Sequence, residues 1–136
     1  MKITADTNVL LRALVRDDEA QAHAAEALLR SAEIIAIPLP CACELVWVLR
    51  RVYEFRPEEI GAALRALLDT QNVVLNRPAV EAGLRVLAAG GDFADGAIAY
   101  EGAWMGGETF VSFDRKAVRL LAQQGMKTLI AGGTST

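Results

Sequence analysis

Apolar residues along this chain fall into two kinds of stretch. Short runs rich in apolar or β-branched side chains predict buried strands at residues 2–5, 34–37, 72–75, 109–113 and 125–129. Longer stretches repeat their apolar positions at helical spacing and predict helices at residues 9–15, 19–32, 41–53, 57–69, 77–90, 93–105 and 115–124.

The predicted strands alternate with the predicted helices, and this order indicates an α/β fold. Short, continuously apolar strands are typical of a parallel sheet that is covered on both faces, so we expect a three-layer α/β/α sandwich. Crossover connections in such a sheet are right-handed, which brings the carboxyl ends of the strands to one edge. Ligands of open α/β sheets bind in the crevice at that edge.

Length and composition are those of one globular domain. The chain has 136 residues, of which 53% are hydrophobic and 23% are charged, without a repeat or a low-complexity tract. We predict a single domain over residues 1–130 and a flexible tail over residues 131–136.

No stretch of the sequence predicts a membrane span or a secretion signal. The most apolar stretch, residues 34–49, contains Glu44 and is shorter than the ~18 residues that a span requires. Asp6 lies where a signal peptide needs an apolar core. Cys41 and Cys43 are too few for a disulfide framework. We therefore expect a cytoplasmic protein that does not interact with a membrane.

The charge balance argues weakly against a protein that binds nucleic acid by overall charge alone, because the net charge is −3. Cations bound at acidic residues would cancel part of this negative field. Eleven of the 14 basic residues are arginines, whose planar guanidinium suits phosphate. A GC-rich genome would produce the same arginine bias without any function.

Four carboxylates stand among apolar neighbours: those of Asp6, Glu44, Asp95 and Asp114. A buried carboxylate without a partner is costly. Several together predict a shared divalent cation such as Mg²⁺, because hard cations select oxygen ligands. Two of the four directly follow predicted strands, Asp95 lies in the first turn of its predicted helix, and Glu44 lies in the second turn of its own. The predicted topology therefore places all four at one edge of the sheet.

Each of these acids also has a purely structural interpretation. The two acids at strand ends are suited to cap the helices that follow. Asp92 and Asp95 have the spacing of a capping box, and for Asp92 we favour that interpretation. Glu44 has apolar neighbours at helical spacing, which predicts burial, and Arg51 lies where it can form an ion pair with Glu44.

The motifs and their order resemble a PIN domain. They are Asp-Thr-Asn-Val-Leu-Leu at residues 6–11, Glu44 near a helix start, Asp-Phe-Ala-Asp-Gly-Ala-Ile-Ala at residues 92–99, and Thr-Phe-Val-Ser-Phe-Asp at residues 109–114. The resemblance extends over essentially the whole chain. Its size is similar to that of the VapC-type toxins of bacterial toxin–antitoxin pairs.

This resemblance implies a five-stranded parallel sheet and an endoribonuclease that depends on Mg²⁺ or Mn²⁺. It also implies a cognate antitoxin whose tail occupies the acidic site, and a homodimer. The family's conserved hydroxyl falls on Ser112. Gly96, where many relatives carry a larger residue, is expected to loosen helix packing slightly. The family's acidic quartet corresponds to Asp6, Glu44, Asp95 and Asp114.

The quartet suggests hydrolysis of RNA phosphodiester bonds by a metal-activated water. Glu44 is predicted to orient or deprotonate that water. The predicted metal ligands are Asp6, Asp95 and Asp114.

Residues outside the quartet have predicted supporting roles. Asn8 and Ser112 are predicted to steady the metal ligands. Arg115 is the first candidate to bind substrate phosphate, followed by Arg12 and Arg16.

Two other functions remain open. A non-catalytic PIN-like module would bind a partner without cutting it, although a decayed site would be expected to have lost at least one acid. A different Mg²⁺-dependent phosphohydrolase would need an acidic pair near the end of the first strand or a lysine on a late strand. Asp6 is instead followed by Thr7 and Asn8, and Lys116 falls on a predicted helix.

Overall fold

A computed structural model describes residues 1–132 of the chain. It contains two compact units, Met1–Arg77 and a second that begins at Pro78. Within the described range all five strands and all seven helices anticipated from the sequence are present. Of the helices in that range, none is long and apolar enough to cross a membrane. The predicted single domain over residues 1–130 stays a prediction.

The first unit combines a small parallel sheet with helices. In chain order its elements are β1 (Lys2–Thr4), α1 (Thr7–Val15), α2 (Glu19–Ser31), β2 (Ile34–Ala36), α3 (Leu39–Arg51), α4 (Pro57–Leu68) and β3 (Val73–Val74). The strands pair in the order β1-β2-β3, with Ile3 opposite Ile35 and Ile35 opposite Val73. Helix α1 packs against α2 and α3, and α3 packs against α4.

Side chains at both ends of α2 explain where this helix begins and stops. The Asp18 carboxylate accepts a hydrogen bond from the Gln21 N–H at 3.1 Å and so caps the N-terminus. At the other end the Asn72 amide donates to the carbonyls of Leu29 and Ala32, at 3.2 and 2.9 Å. Because Asn72 directly precedes β3, these bonds also tie the end of α2 to the sheet.

The core of the first unit is aliphatic. Its most completely buried large side chains are at most 1% exposed and come from α1, α3 and α4: Leu10, Leu45, Leu49, Ile60 and Leu64. Burying a side chain of this size contributes roughly 1.5–3 kcal/mol. The buried side chains of these helices therefore stabilise the sheet whose carboxyl edge carries polar residues such as Asp6.

The second unit places two helices before a pair of parallel strands. Its elements are α5 (Arg77–Ala88), which begins at the last residue of the first unit, α6 (Phe93–Trp104), β4 (Thr109–Ser112), α7 (Arg115–Gln123) and β5 (Lys127–Ile130). Strands β4 and β5 pair with Thr109 opposite Lys127 and Ser112 opposite Ile130. Phe110 of β4 and Met126, which directly precedes β5, pack on a buried cluster formed by Val86, Ala99, Leu120 and Leu121.

Two glycines allow α5 and α6 to touch through their backbones. A Cβ on Gly96 would lie 2.4 Å from the Ala82 carbonyl oxygen and 2.8 Å from Val86 Cγ2, and a Cβ on Gly83 would lie 2.6 Å from the Phe93 ring. The expectation that Gly96 loosens helix packing is wrong. Its missing side chain permits a close approach that a methyl group would prevent.

Three further expectations differ from the structure. A single five-stranded sheet is not shown, because the strands of the described residues pair as a sheet of three and a sheet of two. The last strand is Lys127–Ile130 and not residues 125–129, because Gly125, at φ 88°, forms the turn after α7. Of the predicted tail, Ala131 and Gly132 form a turn, and residues 133–136 lie outside the described residues.

Replacing Gly96 with alanine should destabilise the protein by about 1–3 kcal/mol, because the added methyl group overlaps the backbone of α5. Urea unfolding measures the change. Gly102→Ala is the matched control on the same helix, since a Cβ there meets nothing within 4 Å. It should be neutral or stabilise by up to ~1 kcal/mol. Equal stability of Gly96→Ala and the wild type would contradict the close packing.

Candidate functional site

Asp6 lies at the carboxyl end of β1 and caps α1. Its backbone is extended, with φ −77° and ψ 154°, and its Oδ1 atom accepts a hydrogen bond from the Asn8 N–H at 2.6 Å. The predicted capping role of Asp6 is thus confirmed. Its other oxygen accepts no hydrogen bond from the described residues, and the side chain is exposed. The cap consequently leaves one carboxylate oxygen open to a ligand.

Glu44 lies in the second turn of α3 and is exposed to solvent, so its predicted burial is wrong. The buried stripe of α3 is formed by Ala42, Leu45, Val46 and Leu49. Glu44 and Trp47 lie outside that stripe, and Trp47 is itself 57% exposed. Within residues 1–132 Glu44 forms no ion pair with Arg51.

Cys41 connects the strand end that carries Asp6 with the helix that carries Glu44. Its Sγ atom accepts a hydrogen bond from the Thr7 hydroxyl and donates one to the Ala5 carbonyl, both at 3.4 Å. The sequence showed Cys41 only as a small residue at a helix start. The signal that could have identified it is its spacing, because Cys41 lies three residues before Glu44 and so on the same side of α3.

The electrostatics of Cys41 show that Asp6 and Glu44 lie near the same sulfur. Burial raises the pKa of the Cys41 thiol, and the negative charges of Glu44 and Asp6 raise it further, while the hydrogen bond from Thr7 lowers it. The thiol is therefore held protonated at neutral pH. It acts as a hydrogen-bonding link and not as a nucleophile.

Asp95 lies in the first turn of α6 and is half-buried. The residue before that turn, Asp92, occupies the N-cap position, and its backbone carbonyl accepts a hydrogen bond from the Asp95 N–H at 3.1 Å. The Asp92 side chain makes no capping hydrogen bond and is exposed, so the predicted capping by Asp92 is wrong. Its carboxylate instead adds negative charge beside Asp95.

Three carboxylates concentrate negative charge at this end of α6. Burial raises the pKa of the Asp95 carboxyl, and the charges of Asp92 and Asp114 raise it further. Protonation of Asp95 relieves the repulsion among these carboxylates. A bound divalent cation would relieve it without protonation. The second unit thus brings Asp114 within electrostatic reach of Asp95, and in the first unit Asp6 and Glu44 both act on the Cys41 thiol.

Asp114 follows β4 directly and caps α7. Its Oδ1 atom accepts hydrogen bonds from the Lys116 and Ala117 N–H groups at 2.9 and 3.1 Å. Its own N–H donates to the Ser112 Oγ at 3.0 Å. Ser112 therefore fixes the backbone that carries the carboxylate of Asp114. As with Asp6, the cap uses one carboxylate oxygen.

Asn8 contacts Asp6 through its backbone, while its side chain belongs to a groove between α1 and α2. That groove has a volume of about 270 Å³ and is also lined by Arg12 and Leu28. A larger cavity of about 650 Å³ opens where β2 and β3 begin, at the edge of the sheet opposite Asp6. Asp6 and Glu44 line neither of these two cavities and are exposed to solvent.

The arginines proposed to bind phosphate differ in how they are paired. Arg12 donates to Asp17 at 2.9 Å, and the Tyr53 hydroxyl donates to the same carboxylate. Arg16 forms ion pairs with Glu26 and Glu19. Arg115 is exposed and has no ion pair within the described residues. Of the three, Arg115 is the one whose charge is open to a ligand.

The chemistry of these side chains fits a hard divalent cation, which prefers carboxylate oxygens. Asp6 and Asp114 each present one oxygen that their caps leave open, and Asp95 gains from a neighbouring positive charge. Among residues 1–132, no group of three or more His, Cys, Asp or Glu side chains is already arranged as a metal site. These carboxylates therefore suit a divalent cation. The first unit supplies Asp6 and Glu44, and the second unit supplies Asp95 and Asp114.

Comparison with known proteins identifies one family. The family model described as PIN domain matches residues 3–121, which is most of the chain. No curated protein matches the sequence. The matched range includes the acidic residues of both units and Ser112.

Two substitutions at Asp114 should separate its capping role from any role in chemistry. Asp114→Asn keeps an oxygen that accepts from the Lys116 and Ala117 N–H groups, so its stability should stay close to the wild type. Asp114→Ala loses the cap and should be less stable by ~1 kcal/mol. Urea unfolding measures both. A stable alanine variant would show that the cap does not hold α7.

Asp95→Asn should stabilise the metal-free protein at pH 7. The pKa of the Asp95 carboxyl is raised on folding, so the folded state binds its proton more tightly than the unfolded state does. The free energy of unfolding therefore falls as the pH rises from the unfolded pKa, about 3.9, through the raised pKa of the folded state. Asparagine cannot ionise, so the variant avoids this loss, and the difference should vanish below about pH 3.

Thermal unfolding in chelator at both pH values measures the effect. Glu101→Gln, an exposed site on the same helix, is the control. A less stable Asp95→Asn protein at pH 7 would contradict the repulsion.

Proposed function

This chain belongs to the PIN-domain family, and on that premise we propose that it is a Mg²⁺- or Mn²⁺-dependent endoribonuclease. PIN domains are typically nucleases that use divalent metals, so a hydrolase acting on nucleic acid follows from the family. RNA as the substrate is the finer part of the proposal. The metal-dependent nuclease is supported chiefly by the half-buried Asp95 carboxylate, which lies at the start of α6 within electrostatic reach of Asp92 and Asp114.

The proposed cation ligands are Asp6, Asp95 and Asp114. A bound Mg²⁺ or Mn²⁺ supplies positive charge for the reacting phosphate and makes water a better nucleophile. The chain contributes carboxylates whose positions are restricted. Backbone N–H groups at the start of α1 and α7 donate hydrogen bonds to the carboxylates of Asp6 and Asp114. The Ser112 hydroxyl accepts a hydrogen bond from the Asp114 N–H and so holds the backbone there. Such support keeps ligands oriented before the substrate arrives.

Glu44 is proposed to accept the proton of the attacking water. Its exposure leaves the carboxylate accessible to water. Its position on α3 is held through Cys41, which is bonded to both Ala5 and Thr7. A general base of this kind contributes typically 10²–10⁴-fold to a rate. Glu44→Gln keeps the shape of the side chain and removes the proton acceptor.

Arg115 is proposed to bind substrate phosphate. It lies in the first turn of α7, directly after Asp114, and its charge is not neutralised by an ion pair within the described residues. The pairing of Arg12 with Asp17 and of Arg16 with Glu26 makes both poorer candidates, because binding phosphate would require breaking those pairs.

The biological role that we propose is that of a VapC-type toxin. The resemblance of its motifs to a PIN domain and the similarity of its size to that of VapC-type toxins support this role. A cognate antitoxin would then bind the acidic site with a basic segment, because the exposed carboxylates of Asp6, Glu44 and Asp114 attract positive charge. A homodimer and a cytoplasmic location complete the proposal.

One observation favours a second candidate, the non-catalytic PIN-like module. Asp6 and Asp114 both serve as helix caps, and the described residues contain no metal site already arranged from three or more acids, histidines or cysteines. Helix capping alone would account for these two acids. It does not account for the clustering of Asp92, Asp95 and Asp114, which raises the pKa of Asp95 and has no structural benefit.

The experiment that tests the function is cleavage of a mixed cellular RNA pool by the purified chain. Mn²⁺ or Mg²⁺ is supplied, and chelator, Asp95→Asn and Glu44→Gln are the controls. We expect discrete fragments that require both the metal and Asp95, and a rate about 10²–10⁴-fold lower for Glu44→Gln.

Cleavage by Asp95→Asn at the wild-type rate would contradict the mechanism. The absence of cleavage by folded wild-type protein in either metal would favour the binding module. Hydrolysis of a simple phosphate monoester without cleavage of RNA would favour the phosphohydrolase.

A further inference from the structure

Phe113 is the most exposed large apolar side chain in the described part of the chain, at 82%. It stands between Ser112, the last residue of β4, and Asp114, the cap of α7. Phenylalanine is usually among the buried residues of a protein, and an exposed aromatic ring in isolation has no structural benefit. Its place directly beside a proposed cation ligand makes the exposure informative.

The backbone on both sides of Phe113 is held in place. The Asp114 N–H donates to the Ser112 Oγ at 3.0 Å, and the Ser112 carbonyl accepts from the Ala131 N–H at 2.9 Å. On the β5 side the ring approaches Gly132, where a Cβ would lie 3.6 Å from Phe113 Cε1. The ring is thus carried by a fixed strand end and not by a free loop.

Positively charged residues follow Phe113 in the sequence. Arg115, Lys116 and Arg119 are exposed on α7 and have no ion pair within residues 1–132. Four consecutive residues therefore supply an aromatic ring, a carboxylate and two cations, from Phe113 to Lys116. A ring that can stack and cations that can bind phosphate are the components of sites for single-stranded nucleic acid.

We propose that Phe113 stacks on an unpaired RNA base, while Arg115 and Lys116 bind the phosphates beside it. This inference rests on the proposed nuclease function and names the part of the site that holds the substrate. Stacking on Phe113 would place the adjoining phosphate next to Asp114. Because any base has a flat face, such contact selects for unpaired RNA and not for one sequence.

The charges near Phe113 favour RNA over a protein partner as its occupant. Val111 and Leu129 are also exposed on the β4–β5 pair, at 53% and 40%, and a second copy of the chain is the competing occupant. Lysine is depleted at protein interfaces, whereas contacts to phosphate are commonly made by exposed lysines and arginines. Three of them lie on the helix that follows Phe113.

The test measures binding of a short, fluorescently labelled single-stranded RNA of mixed sequence. Asp95→Asn protein is used throughout, so that the RNA remains intact. Adding Phe113→Ala should weaken binding roughly 5- to 150-fold, whereas Phe113→Tyr should bind like the parent, because it keeps the ring. Trp104→Ala is the matched control, since Trp104 is 78% exposed on α6 and has no proposed contact with RNA. It should bind like the parent.

A second series separates phosphate contacts from stacking. Arg115→Ala and Lys116→Ala should each lower the slope of log affinity against log salt by about 0.7, the value for one phosphate contact on a single strand. Phe113→Ala should leave that slope unchanged. A fully paired RNA of the same length should bind Phe113→Ala and its parent alike.

The outcomes distinguish this inference from the proposed function. Cleavage by wild-type protein together with unchanged RNA binding by Phe113→Ala would overturn the inference and leave the nuclease in place. A decrease in molecular mass in solution on Phe113→Ala, with RNA binding unchanged, would show a contact between copies and would also overturn it. Wild-type protein that neither cleaves nor binds RNA would overturn both. Far-ultraviolet circular dichroism verifies that each variant is folded.

Discussion

The interaction on which both fold and site depend is that between a carboxylate and the N-terminus of a helix. Asp6 accepts from the first turn of α1, Asp114 accepts from the first turn of α7, and Asp95 lies in the first turn of α6. Backbone N–H groups and the helix dipole stabilise negative charge at these positions. The same bonds that begin a helix after a strand therefore hold an acid at the carboxyl edge of that strand. Structural and functional interpretations of these acids are compatible.

Close packing by glycine sets the position of Asp95, whose carboxyl pKa is raised. Gly96, the neighbour of Asp95, lies against the Ala82 carbonyl, so α6 approaches α5 as closely as two backbones allow. This contact fixes the start of α6, where Asp95 is half-buried and Asp92 and Asp114 lie within electrostatic reach. The repulsion among these charges destabilises the folded protein, and the packing of the helices offsets this destabilisation. A site that binds a cation is a physical reason for retaining such a cost.

Much of the fold, and the local position of most site residues, could be predicted from sequence. Capping and periodicity depend on neighbours along the chain, so each strand and helix was found near its predicted place, and Asp6 caps its helix as predicted. The predicted burial of Glu44 and the predicted cap at Asp92 are wrong. Glu44 has apolar neighbours in sequence and is nevertheless exposed, because the buried stripe of α3 lies on another flank. The capping box at Asp92 had suitable spacing, but its side chain does not bond.

The sequence by itself determined the order of the elements, the parallel character expected of their strands, and the assignment of acids to strand ends and first turns. These features follow from local backbone preferences and from side chains a few residues apart. Tertiary structure decided which acids share an electrostatic environment, that Cys41 links Ala5 to Thr7, and which arginines are already paired. It also decided that Phe113 faces solvent and that the basic residues following it have no ion pair within residues 1–132. Burial, pairing and electrostatic coupling depend on residues far apart in the chain, and only folding brings those residues together.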